Sequence, residues 1–75
     1  MKVNKTQAIL FMYNLLIKEG ELRKESVLSE CDLSDLTFRR YIQEIRAFLF
    51  NFGINAELIY DRKRMVFRLS QNTSV

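Results

Sequence analysis

The stretch whose reading decides the fold is Ser34-Asp35-Leu36-Thr37-Phe38-Arg39-Arg40-Tyr41-Ile42-Gln43-Glu44-Ile45-Arg46-Ala47-Phe48-Leu49-Phe50-Asn51-Phe52-Gly53. Phe38, Tyr41, Ile42, Ile45, Phe48, Leu49 and Phe52 recur at three- and four-residue spacing, a wide apolar stripe along one helix. Ser34 is a good N-cap, and Asp35 in the first turn suits the positive end of the helix dipole. Gly53 ends the helix, because glycine accepts the left-handed conformation of a C-terminal cap. Leu36, Arg39, Arg40, Gln43 and Arg46 fall on other faces. The helix spans about 34–52, with one side for a core and one side basic.

Working outward, Asn4-Lys5-Thr6-Gln7 has capping-box spacing, so a first helix starts after Asn4. Ile9, Met12, Tyr13, Leu16 and Ile17 give its periodicity, and Glu19-Gly20 ends it. A short second helix begins at Leu22 and runs from about Lys24 to Glu30, with Val27, Leu28 and Cys31 on one face. After Gly53 the pattern turns extended. Glu57–Tyr60 and Met65–Leu69 are rich in β-branched and aromatic residues, joined by Asp61-Arg62-Lys63-Arg64. The expected fold is α+β, mainly α: three helices followed by a β-hairpin over 57–69, one domain over 1–69, and a polar tail over 70–75.

Composition bounds the chemistry. The 75 residues carry a net charge of +3 and an apolar fraction of 48%, with six Phe and three Tyr. A chain this short buries about 60–65% of its unfolded surface, enough for a small core and not for a deep cleft. There is no His, Trp or Pro. Without His the commonest general base and the commonest metal ligand are missing. The single Cys31 cannot make an internal disulfide or a multi-thiolate zinc site, and reads as a small buried apolar residue in a reducing, cytoplasmic setting. No nucleophile–base pair can be named, so an enzyme is not expected, nor a cofactor, metal or small-molecule substrate. The longest apolar run, Ala8–Ile17, is interrupted by Asn14. It falls well short of the roughly 20 residues of a membrane span.

Charge is unevenly spread. Residues 1–18 carry +3, residues 19–33 carry −3, residues 34–46 carry +1, residues 47–59 carry −1 and residues 60–75 carry +3. Positive charge therefore collects on the exposed side of the third helix and at the hairpin tip, an arrangement that suits a polyanion. The plainer alternative is a solvated face and a charged tip that protects an edge strand.

The segment from Val27 to Ile45 resembles a helix-turn-helix. It is closest to the winged type at the front of bacterial DeoR-like and WYL-type transcriptional regulators. The matching positions are Leu33-Ser34, Thr37, Arg40, Ile42 and Ile45, and Gly53-Ile54 with the hairpin to Leu69 supplies the family's wing. The resemblance covers roughly Lys5 to Leu69. It implies sequence-specific binding of double-stranded DNA, with the third helix in the major groove and Arg62, Lys63 and Arg64 of the wing on an adjacent groove or phosphates.

The residue types agree with that reading. A recognition helix buries one face and offers the other to a groove about 12 Å wide. Ser34 and the amides at the helix start suit a phosphate, and Thr37 a phosphate or a base. Arg39 lies on the exposed face. Arg40 can be bidentate to guanine, Gln43 can pair with adenine, and Leu36 can touch a thymine methyl. Asp35 would repel phosphate. The first helix is apolar nearly all round, and the third ends in Phe48, Leu49, Phe50 and Phe52. A homodimer through Phe11, Leu15 and Phe50 is therefore expected. The same surplus supports a different function, a winged-helix protein–protein interaction module without DNA binding.

Overall fold

The computed structural model describes residues 3–71. The order of elements is α1 (Lys5–Glu19), β1 (Glu21–Arg23), α2 (Lys24–Cys31), α3 (Asp35–Asn51), β2 (Ala56–Asp61) and β3 (Val66–Gln71). The fold is α+β and mainly helical, with a three-stranded antiparallel sheet in the order β1-β3-β2. This order of elements is compatible with a winged-helix layout.

The ends of α1 and α3 follow the expected chemistry. The Asn4 side chain accepts from the Gln7 amide at 2.8 Å and starts α1. Gly20 closes α1 at φ 77°, where its amide reaches the Leu16 carbonyl at 2.9 Å. Ser34 caps α3. At the other end of α3 the Gly53 amide donates to Phe50 and the Ile54 amide to Leu49, with Gly53 at φ 63°. That crossed pair of bonds is the Schellman closure, which needs a left-handed residue at this position.

Two boundaries differ from the expectation. Leu22 lies in a strand and not in α2. Alone, Glu21-Leu22-Arg23 is too short to show alternation; it becomes a strand because β3 offers it a partner, with Glu21 opposite Arg68, Leu22 opposite Phe67 and Arg23 opposite Val66. The expected hairpin is therefore two strands of three. β3 also continues through Ser70 to Gln71, paired to Glu57 and Ala56, so the ordered strand extends beyond the expected boundary at Leu69. The rest of the expected tail, 72–75, lies outside the described residues.

The core is one cluster. Ala8, Met12 and Leu16 come from α1, Leu22 from β1, Val27 and Cys31 from α2, Phe38, Ile42, Ile45 and Leu49 from α3, and Leu58 from β2. Its α1 and α3 members recur every three or four residues, which puts each set on one face. Val66 of β3 is equally buried. Burial pushes the Cys31 thiol pKa up, with Glu30 adding a smaller effect. That is the environment of an inert, packed thiol. No described helix is long and apolar enough to cross a membrane.

Polar ties at both flanks hold α3 against α1 and the sheet. Lys5 at the start of α1 pairs with Glu44 at 2.8 Å. Arg46 donates to the Leu58 carbonyl at 3.1 Å and so occupies part of the outer edge of β2. Arg46, read from the sequence as one of several outward side chains, is thus a staple between helix and sheet.

Candidate nucleic-acid interface

The outer side of α3 is set by the burial of the inner side. With Phe38, Ile42, Ile45 and Leu49 buried, Leu36, Arg39, Arg40 and Gln43 are exposed. Thr37, Arg40 and Gln43 line one open depression together with Tyr41 and the Lys5–Glu44 pair. The structure therefore brings three of the expected residues together. Lys5, which no spacing in the sequence connects to α3, joins them through the packing of α1.

At the head of α3 the hydroxyls are partly committed. Ser34 Oγ accepts from the Thr37 amide at 3.2 Å and donates to Thr37 Oγ1 at 2.9 Å. Its role is the cap, and it is Thr37 whose hydroxyl hydrogen remains to be donated outward. The Phe38 amide is taken by the Ser34 carbonyl at 3.0 Å. The amides of Asp35 and Leu36, the first two of the helix, are the ones open to an anion.

Asp35 does not stand as a bare negative charge. Lys24 of α2 pairs with it, and Arg39 one turn along places Nε 3.2 Å from Oδ2. The hydrogen bond from Lys24 is the main cause holding the Asp35 carboxyl below its usual range; partial desolvation opposes it, and the charges of Lys24 and Arg39 add to it. The repulsion expected between Asp35 and phosphate is thus offset by two cations. The pairing also orients Arg39: with Nε engaged, its terminal nitrogens remain to be offered elsewhere. Arg40 forms no ion pair among the described residues, so the two neighbouring arginines differ. One is braced and leans toward Lys24, Tyr60 and Phe67; the other is unbraced beside α1.

Because Asp35 has a depressed folded-state pKa, the stabilisation from its pairing is fully present above the ordinary carboxylate value. It is lost as pH falls through the lower, folded-state value. A carbon-13 NMR titration of the Asp35 carboxyl is expected to give a midpoint below that of an unpaired aspartate. Lys24→Ala should return it most of the way, and an unshifted midpoint in the wild type would show that the pair does not form in solution.

At the hairpin tip, Asp61 Oδ1 accepts from the amides of Lys63 at 3.1 Å and Arg64 at 3.3 Å. This side-chain turn supplies the reversal that an Asn-Gly pair would otherwise give. Met65 completes the loop at φ 55°. Arg62 and Lys63 are exposed and form no ion pair among the described residues. Arg64 differs from the expectation: its guanidinium is drawn back across the sheet to Glu21 of β1 at 2.9 Å. β1 runs beside the tip half of β3, with Glu21 opposite Arg68, and the long Arg64 side chain reaches back along this edge to Glu21. Arg64 joins Arg23 and Lys24 along a groove between α2 and the tip.

The residues expected at a subunit contact differ in exposure. Phe11 and Leu15 are half-buried against the core of their own chain. α1 meets both α3 and the sheet, so it buries a wider arc than a helix with one neighbour. The exposed apolar residues of α1 are Leu10 and Ile17 instead. Phe50 is 86% exposed, as that expectation requires.

Among the described residues no group of three or more His, Cys, Asp or Glu side chains could share a metal ion. Set against protein-family models, curated proteins and solved structures, the chain matches none.

Proposed function

We propose that the chain is a winged-helix protein that binds double-stranded DNA sequence-specifically, as a small bacterial or phage-type transcriptional regulator of the cytoplasm. The observation that carries the reading is the two-sidedness of α3. Phe38, Ile42, Ile45 and Leu49 anchor it, while Leu36, Arg40 and Gln43 stand outward with Thr37 at their edge. In this reading the first turn of α3 meets a phosphate through the Asp35 and Leu36 amides. Arg40 and Gln43 then read base edges in the major groove, and Leu36 meets a thymine methyl. Arg39, braced by Asp35, presents its remaining donors to the same groove. Arg62 and Lys63 supply the wing's phosphate contacts, with Arg64 in a lesser part because Glu21 already holds it.

Selection from a randomised duplex library with the purified chain, at two salt concentrations, tests this. The expected result is an enriched motif and an affinity that falls steeply as salt rises, since each phosphate contact releases condensed counterions. Failure to enrich any sequence at low salt would count against sequence-specific binding.

A second reading is favoured by the exposure of Phe50 and Phe52, namely a winged-helix module that binds protein and not DNA. It expects no salt-dependent duplex binding and a partner retained after nuclease treatment.

A further inference from the structure

We propose that the C-terminal end of α3 is the contact surface for a second copy of this chain. Four apolar side chains surround that end. Phe50 is 86% and Phe52 74% exposed, and Phe48 and Ile54 are each more than a third exposed. Phe48 lies between Phe52, tilted at 5.2 Å, and Tyr13 of α1, edge-on at 5.5 Å. The apolar surface thus continues across α1 to Leu10. On the other side of Phe50 an open groove of about 470 Å³ runs past Leu49 and Ile54 to Leu58. Exposed phenyl rings beside a groove of mixed polar and apolar lining match the anatomy of a protein interface, an aromatic centre with a polar rim.

The rim says which partner fits. Arg46 and Glu57 flank the groove with opposite charge. Arg46 spends one donor on the Leu58 carbonyl and keeps the rest, and Glu57 has no ion-pair partner among the described residues. A surface made for a basic or acidic partner, or for an anionic lipid layer, would carry one sign. A rim with one charge of each sign is complementary to itself: under a two-fold axis, Arg46 of each copy faces Glu57 of the other. The two exposed phenyls alone offer roughly 300 Å² per copy. With their neighbours and the groove wall this reaches on the order of 500–600 Å², the low end for a specific interface. The expected dimer is therefore weak, with a dissociation constant in the micromolar range.

Such a contact stands without the DNA reading and leaves the basic half of α3 uncovered. From Arg40 to Asn51 the helix advances about 16 Å, so two copies joined at this end hold their Arg40 residues at most about 33 Å apart, plus the width of the contact. Successive major grooves on one side of a duplex are about 34–36 Å apart.

Sedimentation equilibrium without DNA, over about 1–200 µM, tests the proposal. The wild type is expected to show a monomer–dimer equilibrium in the micromolar range. Phe50→Ser, at a side chain that adds little to its own core, should abolish it while the circular dichroism spectrum is unchanged. Glu57→Arg, which makes both rim charges positive, should weaken it at least tenfold. A wild type that stays monomeric at 200 µM, or a dimer that survives both changes, would overturn the proposal. Because no DNA is present, failure here leaves the nucleic-acid reading standing, and loss of duplex binding leaves the dimer standing.

Discussion

Phe38→Ala is expected to destabilise the domain by about 3–5 kcal/mol, the range for deleting a buried phenyl ring. Phe38 is 1% exposed and is among the largest fully buried side chains of the molecule. Its ring lies 5.6 Å from that of Phe67, and Phe67 lies 4.9 Å from Tyr60, so an aromatic row joins α3 to the sheet. Domains of this size have total stabilities of about 4–11 kcal/mol. The substitution therefore removes much of the margin and is expected to leave a substantial unfolded fraction at 37 °C. Urea denaturation followed by circular dichroism checks this. A loss below about 1 kcal/mol would mean that α3 is not anchored through Phe38. Leu36→Ala on the outer side of the same helix is the control, since an exposed leucine changes stability by about 0.5 kcal/mol or less.

Arg40→Ala is expected to weaken binding to the preferred duplex by about 1–3 kcal/mol, roughly 5- to 150-fold, and to relax preference at one base pair. The fold should be unaffected, because Arg40 is exposed and forms no ion pair among the described residues. The wing substitutions should behave differently. Arg62→Ala and Lys63→Ala should weaken all duplexes alike, each lowering the salt slope by about one. Arg64→Ala should weaken binding less, since Glu21 already holds its guanidinium. Binding isotherms of these variants on matched and mismatched duplexes, at several salt concentrations, separate the two patterns. Equal affinity of wild type and Arg40→Ala on every duplex would remove Arg40 from the interface.

The existence of three helices, and the caps of α1 and α3, are legible because local chemistry determines them. Asn4, Gly20, Ser34 and Gly53 act within their own turns, and the stripe of α3 needs only its own spacing. What escaped the sequence reading lies between elements. β1 exists through its pairing with β3, and three residues carry no periodicity of their own. Lys24 neutralises Asp35 from a different helix, and Lys5 borders the Arg40 depression from α1. Arg64 reads from the sequence as one of three alike tip cations, and its pairing with Glu21 depends on a strand distant in sequence. Phe11 and Leu15 looked surplus on a helical wheel, but α1 packs against two layers at once and absorbs them. Phe52 lies on the same stripe that packs the first half of α3, so periodicity alone does not mark it as exposed, whereas Phe50 lies off that stripe.

In the proposed reading the N-terminal half of α3 and the hairpin tip form the face that meets duplex DNA. Amide chemical-shift mapping, with the nitrogen-15-labelled chain titrated with duplex at low salt, measures that face directly. The expected result is a set of shifts at Asp35–Gln43 and at Arg62 and Lys63 that shrinks as salt is added. Shifts confined to the Phe50–Ile54 end, or none at millimolar duplex, would contradict it.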